Sequence, residues 1–288
     1  MASTQQLKSR IRSVKSTKQI TKAMQMVAAS KMRRAQEATK SSQAYTMAAR
    51  ELLTYLAAQG VTNGHKWFTV RPVKSRLLIV VASDKGLAGA YNANILKAYV
   101  RELKADDAAN IANKTIAVGR KIAQAATRIK DTEIVGTYED LPDHFSGAEF
   151  HAILNTAKDL FEAGQVDAVD VIFTRFVSSL TQRADVVRLF PAGFTPTDDV
   201  QPDIAEAKFE PSPKQIIDDI AYRLISARLF QALMDSRASE HSMRMLAMKN
   251  ATDNATDLVD ALTLEMNKAR QAAITQELTE ISAGVEAM

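Results

Sequence analysis

The sequence contains no cysteine, which excludes disulfides and thiolate chemistry. Its four histidines, His65, His144, His151 and His241, stand far apart and offer no metal-ligand spacing. Only 6% of the residues are aromatic, so a core has to be assembled from aliphatic side chains and 11 Met within an apolar fraction of 46%. No apolar run approaches the ~18 residues of a membrane-spanning helix. The opening MASTQQLKSR reads as a polar helix start without the apolar stretch of a signal peptide, so a soluble, cytoplasmic protein is expected. No Ser/His/Asp grouping and no carboxylate pair in an acid/base arrangement can be picked out, and G-x-x-x-x-G-K-[ST] is missing. Catalytic residues, metal ligands and cofactor-binding residues are therefore not expected.

Glycine and proline are missing from two long stretches. None occurs from Ser3 to Ala58, and Ser3 followed by Gln6 reads as a capping box. One helix of about 55 residues, on the order of 80 Å long, is permitted there. Ser212-Pro213-Lys214-Gln215 supplies a cap, a first-turn proline and the second half of a capping box, after which no glycine or proline appears until Gly284. That helix reaches roughly 105 Å. Along it Met234, Ala238, His241, Met245, Met248, Thr252, Ala255, Val259, Leu262, Met266, Ala269, Ala273 and Gln276 step by four and three, the a/d spacing of a coiled coil. Ala and Met in place of Leu and Ile predict a thin, close-packed pair of helices. Leu7, Ile11, Val14, Ile20, Met24, Val27 and Met32 form a looser stripe on the first helix and are the expected partner. If the intervening residues fold compactly, the two helices leave them antiparallel.

Charge is unevenly spread. Residues 1–40 carry ten basic side chains against one acidic, Glu37, a balance of +9; with a total of +4 the rest of the chain carries −5. Such a block suits an anionic partner: nucleic acid, acidic lipid or an acidic protein segment. A solvated helix face is the plainer alternative. Against nucleic acid, the basic residues spread around the helix and no aromatics interleave for stacking on bases. The last residues, Ile281 to Met288, are small or apolar and suggest either a socket supplied by another protein or a frayed end.

The middle of the chain has a different texture. RLLIVVAS, residues 76–83, is a continuous apolar run of the kind found in a strand covered on both faces. DKGLAGAYN follows, then a helical stretch to about Leu103. Further strands are expected at Thr115–Val118, Glu133–Gly136, Ala168–Phe176 and Ala184–Phe190, with helices at Arg120–Ile129 and Ala148–Ala163. Alternating elements predict a three-layer, Rossmann-like α/β domain with a largely parallel sheet that ends in a hairpin. Gly86 and Gly89 are too few for G-x-G-x-x-G, so their turn reads as tight strand-to-helix packing and not as a nucleotide site. Trp67, alone in a polar linker, is expected to cap an edge of the domain. The expected fold class is thus α/β plus a long antiparallel coiled coil, with boundaries at 1–60, 61–212 and 213–288.

Three stretches carry a resemblance. Ile11–Ala35, IRSVKSTKQITKAMQMVAASKMRRA, resembles the N-terminal helix of bacterial ATP synthase gamma subunits. Met248–Leu258, MKNATDNATDL, with Asn267–Ile281, NKARQAAITQELTEI, resembles that family's C-terminal signature, and SDKGLAGAYN, Ser83–Asn92, is similar to its glycine-containing turn. The resemblance implies the central rotor shaft of a proton-translocating F-type ATP synthase, itself non-catalytic and without direct nucleotide binding. Its implied partners are alpha and beta subunits in a 3:3:1 complex, an epsilon subunit and the membrane c-ring, at the cytoplasmic face of the inner membrane. By family position, Lys18, Lys22 and Met24 face an acidic lever segment of the beta subunit, with Arg33 and Arg34 on the same surface. Arg244, Arg270, Gln271 and Thr275 engage hexamer loops. Ile274, Leu278, Ile281 and Val285 run in an apolar bearing.

Overall fold

The computed structural model describes residues 4–58, 60, 62–130, 132–142, 148–193 and 212–286. Two helices dominate, α1 (Thr4–Ala58) and the last helix, α5 (Pro213–Glu286). Between them lie β1 (Ser75–Val81), α2 (Tyr91–Ala108), β2 (Ala112–Val118), α3 (Arg120–Ala126), β3 (Glu133–Tyr138), α4 (Ala148–Glu162), β4 (Ala168–Phe176) and β5 (Gln182–Phe190). The expected order of elements is met throughout. α2 runs on to Ala108 and α3 stops at Ala126, short of the expected Ile129. Two compact units divide the chain: Met1–Ala29 with Arg244–Met288, and Ser30–Met243.

The first unit is a pair of helical segments. Leu7 and Ile11 bury themselves against Leu262, with Val14, Val259, Met266 and Ala269 packed around them. Further along, the Thr21 and Thr252 hydroxyls meet at 2.8 Å in a buried hydrogen bond. Rising numbers on one segment meet falling numbers on the other, so the pair is antiparallel. On α5 the heptad reading holds through Ala269, with Met248, Thr252, Ala255 and Leu262 buried and Met245, Val259, Met266 and Ala269 half-buried. Ala273 and Gln276 are exposed, contrary to the expected seam, and lie past Met266, the level that the first described residues of α1 reach.

The seam of α1 differs from the sequence reading. Its inward residues are Leu7, Ile11, Val14, Lys18, Thr21, Gln25 and Ala28, a clean four-three alternation. Ile20 and Val27, which had been expected to face inward, are 58% and 56% exposed. Polar Lys18, Thr21 and Gln25 occupy seam positions while apolar residues stand outside, which inverts the pattern on which periodicity depends.

The second unit is built on a five-stranded sheet in the order β3-β2-β1-β4-β5, parallel except for β5. Alternate residues of the central strands point to opposite faces. Leu77, Ile79, Val169, Val171 and Phe173 pack under Ile153, Leu154 and Phe161 of α4 and Ala221, Ile225, Leu229 and Leu233 of α5. Leu78, Val80 and Ile172 pack under Ile95, Tyr99 and Leu103 of α2 and Ile122 and Ala123 of α3. Helices on both faces give the three layers expected. Trp67 is a correction: it is 5% exposed within the α4–α5 core, edge-on to Phe190 at 6.2 Å, with its indole N–H donated to Glu162 Oε1 at 2.7 Å. A carboxylate within reach satisfies the N–H and lets the ring be buried.

Candidate functional site

In a doubly wound sheet, ligands bind at the carboxyl ends of the strands, where strand order reverses. Here that point lies between β1 and β4; on one side of it the carboxyl ends of β1, β2 and β3 are tied together by the chain's own groups. The backbone N–H of Ser83 donates to Asn92 Oδ1 at 3.1 Å, tying the turn after β1 to the start of α2. Asp84 Oδ1 accepts from the backbone N–H groups of Arg120 and Asp140 at 3.0 and 3.1 Å. A carboxylate of the chain thus takes the amides that would otherwise suit a phosphate. Gly119, at the end of β2, has φ +99°, and a Cβ there would lie 2.3 Å from the Ala82 carbonyl oxygen. Over the same strand ends lie Leu233, Arg237 and Glu240 of α5, leaving a gap of about 10 Å³, the lower limit for one water. The Arg237 guanidinium donates to the Leu141 carbonyl at 2.6 Å. The turn after β1 is thus held by Ser83, Asp84 and Asn92, and the close approach lies at Gly119; a Cβ at Gly86 would meet nothing within 4 Å, so the tight packing expected of this turn does not reside at Gly86.

Other groups of chemical interest serve structure. Arg76, at the start of β1, ion-pairs with Glu102 and Asp106 of α2 and with Asp170 of β4, and Arg188 closes the network on Asp170 at 2.8 Å. Burial works against the Arg76 charge, but Asp170 and Asp106 outweigh it and raise its pKa above the ordinary value. Burial likewise pushes Asp106 above the usual carboxylate range, opposed by Arg76. Burial raises Asp235 of α5 to about 6, with Arg175 pulling weakly the other way. A groove of about 590 Å³ runs between α4 and α5, lined by Phe150, His151, Tyr222, Ser226 and Phe230. Its His151 ring stacks 4.3 Å from Phe150 and lies 2.9 Å through Nδ1 from the Tyr222 hydroxyl. Among the described residues no group of three His, Cys, Asp or Glu could hold a metal ion, and no helix is long and apolar enough to cross a membrane.

What remains exposed and chemically distinctive is helix surface. In the first unit Lys22 is exposed and Met24 half-buried on α1, and Ile20, Met26 and Val27 put apolar area beside them at 58%, 60% and 56% exposure. Lys18 is half-buried at a seam position. On α5, Arg244 is half-buried, whereas Arg270, Gln271 and Thr275 are exposed, the Thr275 hydroxyl bonding back to the Gln271 carbonyl at 2.9 Å. Ile274, Leu278 and Ile281 are 49%, 60% and 64% exposed, on a stretch of α5 with no pairing segment beside it among the described residues. The side chain of Val285 lies outside the described residues. In the second unit Arg33 and Arg34 of α1 are exposed. Ile20, Met26 and Val27 join the candidate surface from the structure. A sequence signal for it existed, since these apolar residues sit in a basic block, but the misplaced seam had absorbed them.

An α/β unit joined in one chain to an antiparallel helical pair that leaves basic and apolar side chains exposed defines the class of this protein. Comparison with known proteins gives this class a family. The family model described as ATP synthase matches residues 3–288. The chain is 38% identical to the ATP synthase gamma chain of Desulforamulus reducens and 35% identical to that of Staphylococcus carnosus, in each case over the whole of both chains. It belongs to the ATP synthase gamma chain family. The fold matches a chain of the Euglena gracilis mitochondrial ATP synthase with TM-score 0.69 and 18% identity, covering 99% of this chain and 94% of that one. It also matches a chain from the central stalk and c-ring of the Tetrahymena thermophila mitochondrial enzyme, with TM-score 0.62 and 23% identity over 81% of this chain and 99% of that one.

Proposed function

We propose that this chain is the central rotor shaft of an F-type ATP synthase, coupling rotation of a membrane ring to conformational cycling of a catalytic hexamer for ATP synthesis or hydrolysis. The observation that carries the reading is the full-length family match, to the ATP synthase family model and to gamma chains along their whole length. The shaft has no reaction of its own; nucleotides bind and react on beta subunits, and rotation shifts the populations of their open and closed states. Partners are three alpha and three beta subunits, an epsilon subunit and the c-ring, with the chain held peripherally at the cytoplasmic face of the inner membrane.

The residue roles are those that the family resemblance implies, and exposure and charge are compatible with them. Lys18, Lys22 and Met24, with Arg33 and Arg34, face an acidic segment of the beta subunit, and Ile20, Met26 and Val27 add apolar area beside it. Arg244, Arg270, Gln271 and Thr275 engage hexamer loops. Ile274, Leu278, Ile281 and Val285 turn within an apolar bearing, where exposed side chains gain the burial they lack in the chain alone. Purification from the native membrane should yield a 3:3:1 complex with alpha and beta subunits; recovery of the chain without them would overturn the reading. In that complex Lys22→Glu, which sets like charge against an acidic segment, should lower ion pumping per ATP hydrolysed, and unchanged pumping would remove Lys22 from the contact.

A further inference from the structure

Strand β4 is completed by a helix. β1 pairs with β4 only as far as Val80 opposite Ile172, yet β4 continues to Phe176. Past Ile172 the side of β4 that faced β1 has lost its strand neighbour, and buried backbone groups there need other partners. Two serines of α5 supply them, and a third binds the turn that follows β4. Ser236 Oγ accepts from the Thr174 backbone N–H at 3.1 Å, and Ser239 Oγ donates to the Thr174 carbonyl at 3.2 Å. Ser242 Oγ donates to the Ser179 carbonyl in the β4–β5 turn at 2.7 Å and accepts from Gln182 Nε2 at 3.1 Å.

The choice of residue is informative. Ser236, Ser239 and Ser242 are 1%, 0% and 0% exposed, positions where Ala would pack as well and form helix better. Hydroxyls so deeply buried are tolerated because each meets backbone. The neighbouring contacts of α5 with the sheet, through Leu229, Ala232 and Leu233, are apolar and non-directional; they resist separation but tolerate sliding. Hydrogen bonds of this length are directional and weaken steeply when a helix turns or slips.

We propose that Ser236, Ser239 and Ser242 form a torque-bearing latch, fixing α5 to the end of β4 and the β4–β5 turn so that a turning force on the sheet reaches the helix without slip. The latch rests on the rotor reading. In the assembled complex, the triple variant Ser236→Ala, Ser239→Ala, Ser242→Ala should keep subunit composition and ATP hydrolysis while ion pumping per ATP falls at least twofold. Hydrogen exchange at the Thr174 amide should quicken at least tenfold, reporting that the latch has opened. Quickened exchange with an unchanged pumping-to-hydrolysis ratio would overturn the latch and leave the rotor reading standing. Failure of the unaltered chain to assemble with alpha and beta subunits would instead remove the rotor reading. Should the triple variant not assemble, Ser242→Ala alone carries the test, with a smaller drop in the same ratio expected and an unchanged ratio again fatal to the latch.

Discussion

The two units solve the problem of burial in opposite ways. The sheet unit buries Leu77, Leu78, Ile79, Ile116, Val171 and Phe190 at 0% or 1% exposure, between layers that exclude water from both faces. The paired-helix unit buries two leucines and one isoleucine, Leu7, Leu262 and Ile11, with Ala28, Met248, Ala255 and a threonine pair, while Ile20, Leu264, Leu278 and Ile281 stand open. At ~25 cal/mol per Å² of apolar surface, the first arrangement stabilises itself and the second leaves much of its hydrophobic gain unrealised. A fold that stops short of burying its own leucines is shaped for what surrounds it.

The largest effect should come from the sheet unit. Gly119→Ala places a Cβ 2.3 Å from the Ala82 carbonyl, on a backbone with φ +99°, and neither atom is the end of a flexible chain. A loss of about 3 kcal/mol or more is expected, read as a lowered denaturant midpoint for the loss of sheet signal; a loss below about 1 kcal/mol would mean that the turn relaxes. In the paired helices the corresponding weak point is polar. Thr252→Ala leaves the buried Thr21 hydroxyl without its cross-helix partner and should cost about 1–2 kcal/mol. Thr21→Val with Thr252→Val should cost less than the two single changes added together, and strict additivity in that cycle would show that the pair carries no coupling.

Asp235 sharpens the comparison through pH. Its folded pKa, raised to about 6 by burial, exceeds the ordinary carboxylate value of 3.8. The folded chain therefore holds its proton where the unfolded chain has lost it, and the slope of unfolding free energy against pH is negative between about 4 and 6. The sheet unit is stabilised on acidification through that window and destabilised as pH rises through it. Asp235→Asn should gain about 1 kcal/mol at pH 7, allowing for solvent screening, and nothing below pH 4; melting temperatures measured across pH would expose a gain that fails to vanish in acid. The smallest change in stability belongs to the exposed end of α5. Leu278→Ser, at 60% exposure, should move the stability of the isolated chain by under about 0.5 kcal/mol, while weakening assembly into the native complex. A large drop in the melting temperature of the isolated chain would show that Leu278 is packed within it.

Legibility followed locality. The run RLLIVV announced β1 because a strand covered on both faces needs no polar alternation, and the four-three steps of α5 were readable because its seam holds Met, Ala and Leu. The seam of α1 was misread at Lys18, Thr21 and Gln25: polar side chains look like surface in a one-dimensional pattern even where they stand at seam positions. Trp67 deceived for the same reason, its neighbours being polar while its partner Glu162 lies 95 residues away. The basic block and the exposed Lys22, Arg33 and Arg34 were visible in composition. The contacts of α5 at the strand ends were not, since Ser236, Arg237 and Ser239 look like an ordinary polar helix face until Thr174 of β4 is placed against the serines and Leu141 against the arginine.

These ties at the strand ends have a thermodynamic corollary. A side chain tethered to the site it occupies acts at a high effective concentration, so a free metabolite in the cell competes with a plug that never diffuses away. Asp84 and Arg237 are such plugs, held by covalent continuity and by 3.0 and 2.6 Å hydrogen bonds to backbone. Their contacts therefore re-form each time they open, before a diffusing group can take their place.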